Sequence, residues 1–110
     1  MKIVFIGAGQ VFDFHSQQLM SAAPIGSEFF VVDYDSIAAT QSRLTRLTLK
    51  EAEKIADLAV IMTPSHVRWL VCAGFAKKRT PMIIEKPLCL NFNEIALFEE
   101  ASKNTFICPV

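Results

Sequence analysis

The sequence predicts an α/β domain built on a doubly wound, mostly parallel sheet of about six strands, with helices on both faces. Three observations predict it. Short apolar runs alternate with stretches of helical periodicity, the pattern of a βαβ chain. A glycine pair, Gly7 and Gly9, follows the first apolar run, Lys2 to Ile6, at once. The second run, Glu28 to Val32, is closed by a carboxylate, Asp33. This order of parts makes the fold Rossmann-like and builds a dinucleotide site from backbone geometry. Glycines let the chain approach a pyrophosphate, and the following helix N-terminus offers free N–H groups and a positive dipole end. A carboxylate ending the second strand accepts hydrogen bonds from a ribose diol.

Each element has its own signal. After the glycine turn, Val11, Phe14, Leu19 and Ala22 line one face of a helix that stops near Pro24. Ile25-Gly26-Ser27 leads into the second strand. Ser36 is an N-cap for a short helix from Ile37 to about Arg43, and Leu44 to Leu47 reads as a short third strand. Thr48, with Glu51 three residues on, begins a capping-box pattern for a helix to about Ala56. Leu58 to Met62 is a buried strand ended by Thr63-Pro64, followed by a helix over about His66 to Lys78. Pro81 to Glu85 is the next strand, ended by Lys86-Pro87. Asn91 and Glu94 form a second capping-box pattern, for a helix to about Lys103, and Thr105 to Pro109 is a last strand. Right-handed crossovers place the first strand centrally.

At 110 residues the chain is one domain, residues 1–110. Its 52% hydrophobic content suits a parallel sheet covered on both faces, whose strands are apolar on both sides. Eleven basic and eleven acidic residues balance, so nothing electrostatic points to nucleic acid. The one basic run, Lys77-Lys78-Arg79, reads as a solvated helix end. Cys72, Cys89 and Cys108 are widely spaced with no CxxC pair, as expected of reduced thiols in a cytoplasmic protein. No apolar run approaches the roughly 18 residues needed to span a bilayer, so no membrane is expected. His15 and His66 are the only histidines and lie in no ligand spacing, so no metal is expected. No G-x-S-x-G marks a nucleophilic serine.

The glycine turn departs from the G-x-G-x-x-G fingerprint in one place. It reads Gly7-Ala8-Gly9-Gln10-Val11-Phe12, with Phe12 where the third glycine stands. That glycine permits close helix–strand packing, so a phenylalanine must tilt the helix away or swing toward the ligand site. Gly7, Gly9, Gln10 and Val11 are the expected cofactor contacts of this turn. Asp33 lies 24 residues after Gly9, near the usual offset of about 20. A carboxylate there favours a free 2′-hydroxyl and repels a 2′-phosphate, and no arginine follows it directly. NAD is therefore expected over NADP. Asp35 is the competing carboxylate, read as a turn residue before the Ser36 cap.

Ligands of open α/β sheets sit at the carboxyl ends of the strands. Thr63-Pro64-Ser65-His66 and Glu85-Lys86-Pro87 fall on that edge with Gly7 and Asp33. A lysine at such a strand end can supply a positive charge or a proton to a substrate hydroxyl. In these residues, Gly7-Ala8-Gly9 with His15, the strand ending in Asp33, Thr63-Pro64 and Glu85-Lys86-Pro87, the chain resembles the Gfo/Idh/MocA oxidoreductases. The resemblance covers nearly the whole chain but only the cofactor half of that family's architecture. It implies that Gly7 and Gly9 lie under the pyrophosphate and Asp33 holds the adenosine ribose. It implies that Thr63 and Pro64 line the cofactor cleft and Glu85 borders the nicotinamide. Lys86 would touch both nicotinamide and substrate hydroxyl as the catalytic lysine, and the Lys86–Pro87 bond is often cis in the family. Besides Phe12, the segment between Asp33 and Leu58 is short for the family. The family's histidine after T-P also usually lies further from the proline than His66 does.

The resemblance further implies a second domain that carries the sugar-like substrate and is absent from these residues. The expected parent reaction is hydride transfer between a sugar-like hydroxyl and NAD, with this part alone inactive. The abrupt apolar end, Cys108-Pro109-Val110, reads as an excised domain or a shortened protein. An exposed sixth-strand edge and an apolar face without a partner would favour a homodimer. Two alternatives remain open: a stand-alone, non-catalytic nucleotide-binding module, and a protein-interaction module whose cofactor site is degenerate at Phe12.

Overall fold

The computed structural model describes residues 1–7, 12–32, 44–89 and 91–110, with the side chains of residues 12–15 outside that description. Six strands form one sheet: β1 (Lys2–Ile6), β2 (Glu28–Val32), β3 (Thr45–Arg46), β4 (Leu58–Ile61), β5 (Met82–Ile84) and β6 (Ile107–Pro109). Their spatial order is β3-β2-β1-β4-β5-β6. All five pairings are parallel. β1 is therefore central, as right-handed crossovers require. Among the described residues, four helices connect them: α1 (Phe12–Ala22), α2 (Leu49–Ile55), α3 (Arg68–Lys77) and α4 (Phe92–Ser102).

Alternation along the strands divides the core into two layers, because successive side chains point to opposite faces. Val4, Ile6, Ala59, Ile61, Met82 and Ile84 face Ala52 of α2, Val71, Cys72 and Phe75 of α3, and Phe98 of α4. Ile3, Phe5, Val31, Val60 and Met62 face the other way, with Leu19 and Met20 of α1 packed against them. Trp69 meets Phe98 edge-on at 4.9 Å, joining α3 to α4.

The expected strands all appear, and β1 and β2 match residue for residue, while β4 ends one residue early, β5 loses one residue at each end and β6 starts two residues late. The Thr48 capping box closes in both directions: Glu51 N–H donates to Thr48 Oγ1 at 3.2 Å, and Thr48 N–H donates to Glu51 Oε1 at 3.1 Å. The Thr48 backbone N–H, and after it the Thr48 hydroxyl, hold the Glu51 carboxyl below its ordinary range. At α4 only half of the box forms: Glu94 N–H donates to Asn91 Oδ1 at 2.9 Å. Among the described residues, Glu94 Oε2 is buried without a hydrogen-bond partner. The third strand is shorter than expected, since Thr45 and Arg46 pair only with Phe30 and Val31 at the sheet edge. The helix expected from His66 opens instead as a 3₁₀ turn, Ser65–Val67, before α3. No side chain caps either start, so i→i−3 bonds to Pro64 and Ser65 carbonyls take up the free N–H groups. α3 stops at Lys77, and Arg79 adopts a left-handed φ of 58° just beyond it. The expected helix over 37–43 lies outside the described residues.

Candidate functional site

Parallel pairing brings the carboxyl ends of all strands to one edge, and backbone bonds lock that edge. Gly7 N–H donates to the Val32 carbonyl at 2.7 Å, and Met62 N–H to Ile6 at 2.8 Å. Glu85 N–H donates to Ile61 at 2.9 Å, and Lys86 N–H to Val110 at 3.0 Å. Gly7, Thr63, Pro64, Glu85 and Lys86 are thus neighbours along one rim, as the sequence led us to expect. Gly9, Gln10, Val11 and Asp33 lie outside the described residues. β2 ends at Val32, on the same rim.

Gly7 is a glycine for two independent reasons. Its φ is +91°, a conformation that side chains disfavour. A Cβ there would also stand 3.1 Å from the Met62 carbonyl carbon and 3.2 Å from the Thr63 nitrogen. Gly7 is consequently bare backbone pressed against the end of β4. Its own N–H is committed to Val32, so donors for an anion must come from further along the chain.

Thr63 is buried, and among the described residues its Oγ1 has no hydrogen-bond partner. Pro64 and His66 are exposed beyond it. Lys86 is exposed, and among the described residues no hydrogen bond or ion pair holds its ammonium. The Lys86–Pro87 peptide bond is cis. Glu85 is half-buried and looks into a groove of about 420 Å³ on the α1 face of the sheet. Val60, Met62 and Ile83 floor this groove, Leu19 and Ala22 of α1 flank it, and Val110 stands with Glu85 at its end. Among the described residues no group of three or more His, Cys, Asp or Glu side chains could hold a metal ion. Likewise, no described helix is long and apolar enough to cross a membrane.

One residue of this rim was missed by sequence reasoning. Arg68 opens α3 and is only 3% exposed. Its Nη1 donates to the carbonyls of Glu85 and Pro87, and its Nη2 to the carbonyl of Thr63. Burial pushes its pKa down, and the neighbouring Cys72 and Glu85 oppose that shift. A signal was available: a cation at a helix N-terminus opposes the macrodipole, so such a residue needs partners elsewhere.

No family model matches the chain, and neither does any curated protein. Solved structures do match, over its whole length. The WlbA dehydrogenase from Chromobacterium violaceum, in complex with NADH and UDP-GlcNAcA, superposes on 100% of the chain with a TM-score of 0.85 at 18% identity. The chain is a Rossmann-like domain. A Gfo/Idh/MocA family oxidoreductase from Vibrio cholerae also matches 100% of this Rossmann-like domain, with a TM-score of 0.81 at 21% identity. The UDP-N-acetylglucosamine 3-dehydrogenase GnnA from Acidithiobacillus ferrooxidans matches 99% of it, with a TM-score of 0.80 at 22% identity. The Rossmann-like domain spans only 34%, 38% and 36% of those three chains respectively, about a third of each.

Proposed function

We propose that the chain is the dinucleotide-binding domain of a Gfo/Idh/MocA-type oxidoreductase, with NAD as cofactor. The observation that carries this reading is the bare Gly7 turn packed on the Met62–Thr63 peptide, on the same rim as Glu85-Lys86-Pro87. A rim with no side chain at Gly7 fits a ligand whose phosphates must approach backbone. The fold shared with a dehydrogenase solved with NADH supports the same reading.

Gly7 and Gly9 would carry the pyrophosphate, with Gln10 and Val11 beside them, and Asp33 would receive the adenosine ribose. Thr63, whose side chain is buried, would contribute backbone, and Pro64 its exposed ring. Glu85 would border the nicotinamide. NAD, when bound, supplies the hydride acceptor. Lys86, exposed and without an ion-pair partner among the described residues, would meet the substrate hydroxyl at Nζ and assist removal of its proton. The substrate class is a sugar-like alcohol, held by a second domain that these 110 residues do not contain. This domain alone binds cofactor and turns nothing over.

Calorimetric titration with NADH and NADPH, beside an Asp33→Ala variant, tests the reading. NADH binding that weakens in the variant, with NADPH weaker throughout, is expected. Failure of both dinucleotides to bind would overturn it.

A further inference from the structure

We propose that Arg68 is the positioning residue of this rim: its guanidinium fixes the Lys86 backbone relative to the end of β4. The inference rests on the reading of Lys86 given above. Arg68 donates to the carbonyls on both sides of Lys86, those of Glu85 and Pro87, and to that of Thr63. One planar group thus ties the two strand ends that carry Thr63-Pro64 and Glu85-Lys86-Pro87. Two further bonds complete the frame, Glu85 N–H to Ile61 and Lys86 N–H to Val110. The Glu85–Lys86 peptide unit is therefore held on both its N–H and C=O sides, and the Pro87 carbonyl is held by the same guanidinium.

The placement of Arg68 carries two costs. A guanidinium on a residue only 3% exposed is desolvated, and among the described residues its Nε has no hydrogen-bond partner. A cation at the first residue of α3 also opposes the helix dipole. Three carbonyl acceptors, reached by a fork of fixed shape, offset those costs. Lysine cannot substitute, because a single ammonium on a flexible stem cannot span both strand ends. An apolar replacement would leave three carbonyls short of a donor and let the Lys86 loop move independently of β4. Arg68 touches neither cofactor nor substrate in this account; it acts through Lys86 and Thr63.

The test uses the 110-residue chain with Arg68→Met and Arg68→Lys, followed by amide hydrogen exchange and NADH titration. Exchange at Lys86 and Glu85 is expected to accelerate at least tenfold more than at core β1 amides such as Phe5. NADH affinity is expected to fall at least tenfold in a variant that still melts cooperatively, with no recovery in Arg68→Lys. A merely structural role would lower the melting temperature and speed all these amides in proportion, leaving affinity unchanged, and would overturn the proposal. If Arg68→Met does not fold, Arg68→Lys, which keeps the charge and removes the fork, decides by the same readouts. If the wild-type chain binds no NADH, the cofactor reading fails, and relative exchange at Lys86 and Glu85 alone decides the positioning claim.

Discussion

Gly7 and Met62 are in contact through backbone alone: a Cβ on Gly7 would stand 3.1 Å from the Met62 carbonyl carbon and 3.2 Å from its oxygen. The turn after β1 and the end of β4 are thereby packed as closely as polypeptide allows. Gly7→Ala adds that clash to an unfavourable φ of +91°. We expect it to destabilise the chain by at least about 2 kcal/mol, since neither strain can relax cheaply. Urea unfolding of the variant beside the wild type checks this. Unchanged stability would mean that the turn is looser than described.

Thr63 presents the opposite case, a polar atom buried without a partner among the described residues. Replacing it by the isosteric valine removes the orphan hydroxyl without leaving a cavity. Thr63→Val is expected to leave stability unchanged or raise it by about 1 kcal/mol, whereas Thr63→Ala lowers it. Thermal melts of the pair give the comparison. A marked loss in Thr63→Val would mean that the hydroxyl has a partner.

Cys72 lies wholly buried among the helices of one sheet face. Burial pushes its thiol up from 9.0 to about 12, with the nearby Arg68 charge opposing. Between those values the unfolded chain loses this proton and the folded chain keeps it. Stability should therefore fall as pH rises from 9 toward 12, with a Cys72 contribution approaching about 1.4 kcal/mol per pH unit. Denaturation midpoints across that range, in wild type and Cys72→Ala, isolate the contribution as a difference in slope. Equal slopes would contradict it. Under native conditions at pH 8, a thiol reagent should reach the half-buried Cys89 and Cys108 well before Cys72.

Lys86 is exposed, and its ammonium is held by nothing among the described residues. Lys86→Ala should change stability by no more than about 0.5 kcal/mol, as surface substitutions usually do. Chemical denaturation tests this. A large loss would assign the lysine to the scaffold rather than to the rim chemistry.

Much of this fold is legible in the sequence, for identifiable reasons. Glu28 to Val32 is bounded by Ser27 and by the carboxylate after it, and Thr48 with Glu51 announces a helix start that forms in both directions. Strand ends were less readable where pairing rather than composition sets them. Pro81 and Glu85 look strand-like, yet β5 pairs only through Met82 to Ile84. Likewise β3 is limited to the two residues that reach β2. The rim residues were found because strand ends in a parallel sheet share an edge. Arg68 was not, because its role is long-range. Its acceptors lie 5, 17 and 19 residues away, and only the fold brings them together.

The central claim is that a dinucleotide occupies the carboxyl-end rim, and amide chemical shifts mapped during an NADH titration test it most directly. Saturable shifts are expected at Gly7, Val32, Thr63 and Lys86, and none at Lys2, Asp57, Thr80 and Thr105. Shifts confined to those four distant residues, or no shift at any NADH concentration, would contradict it.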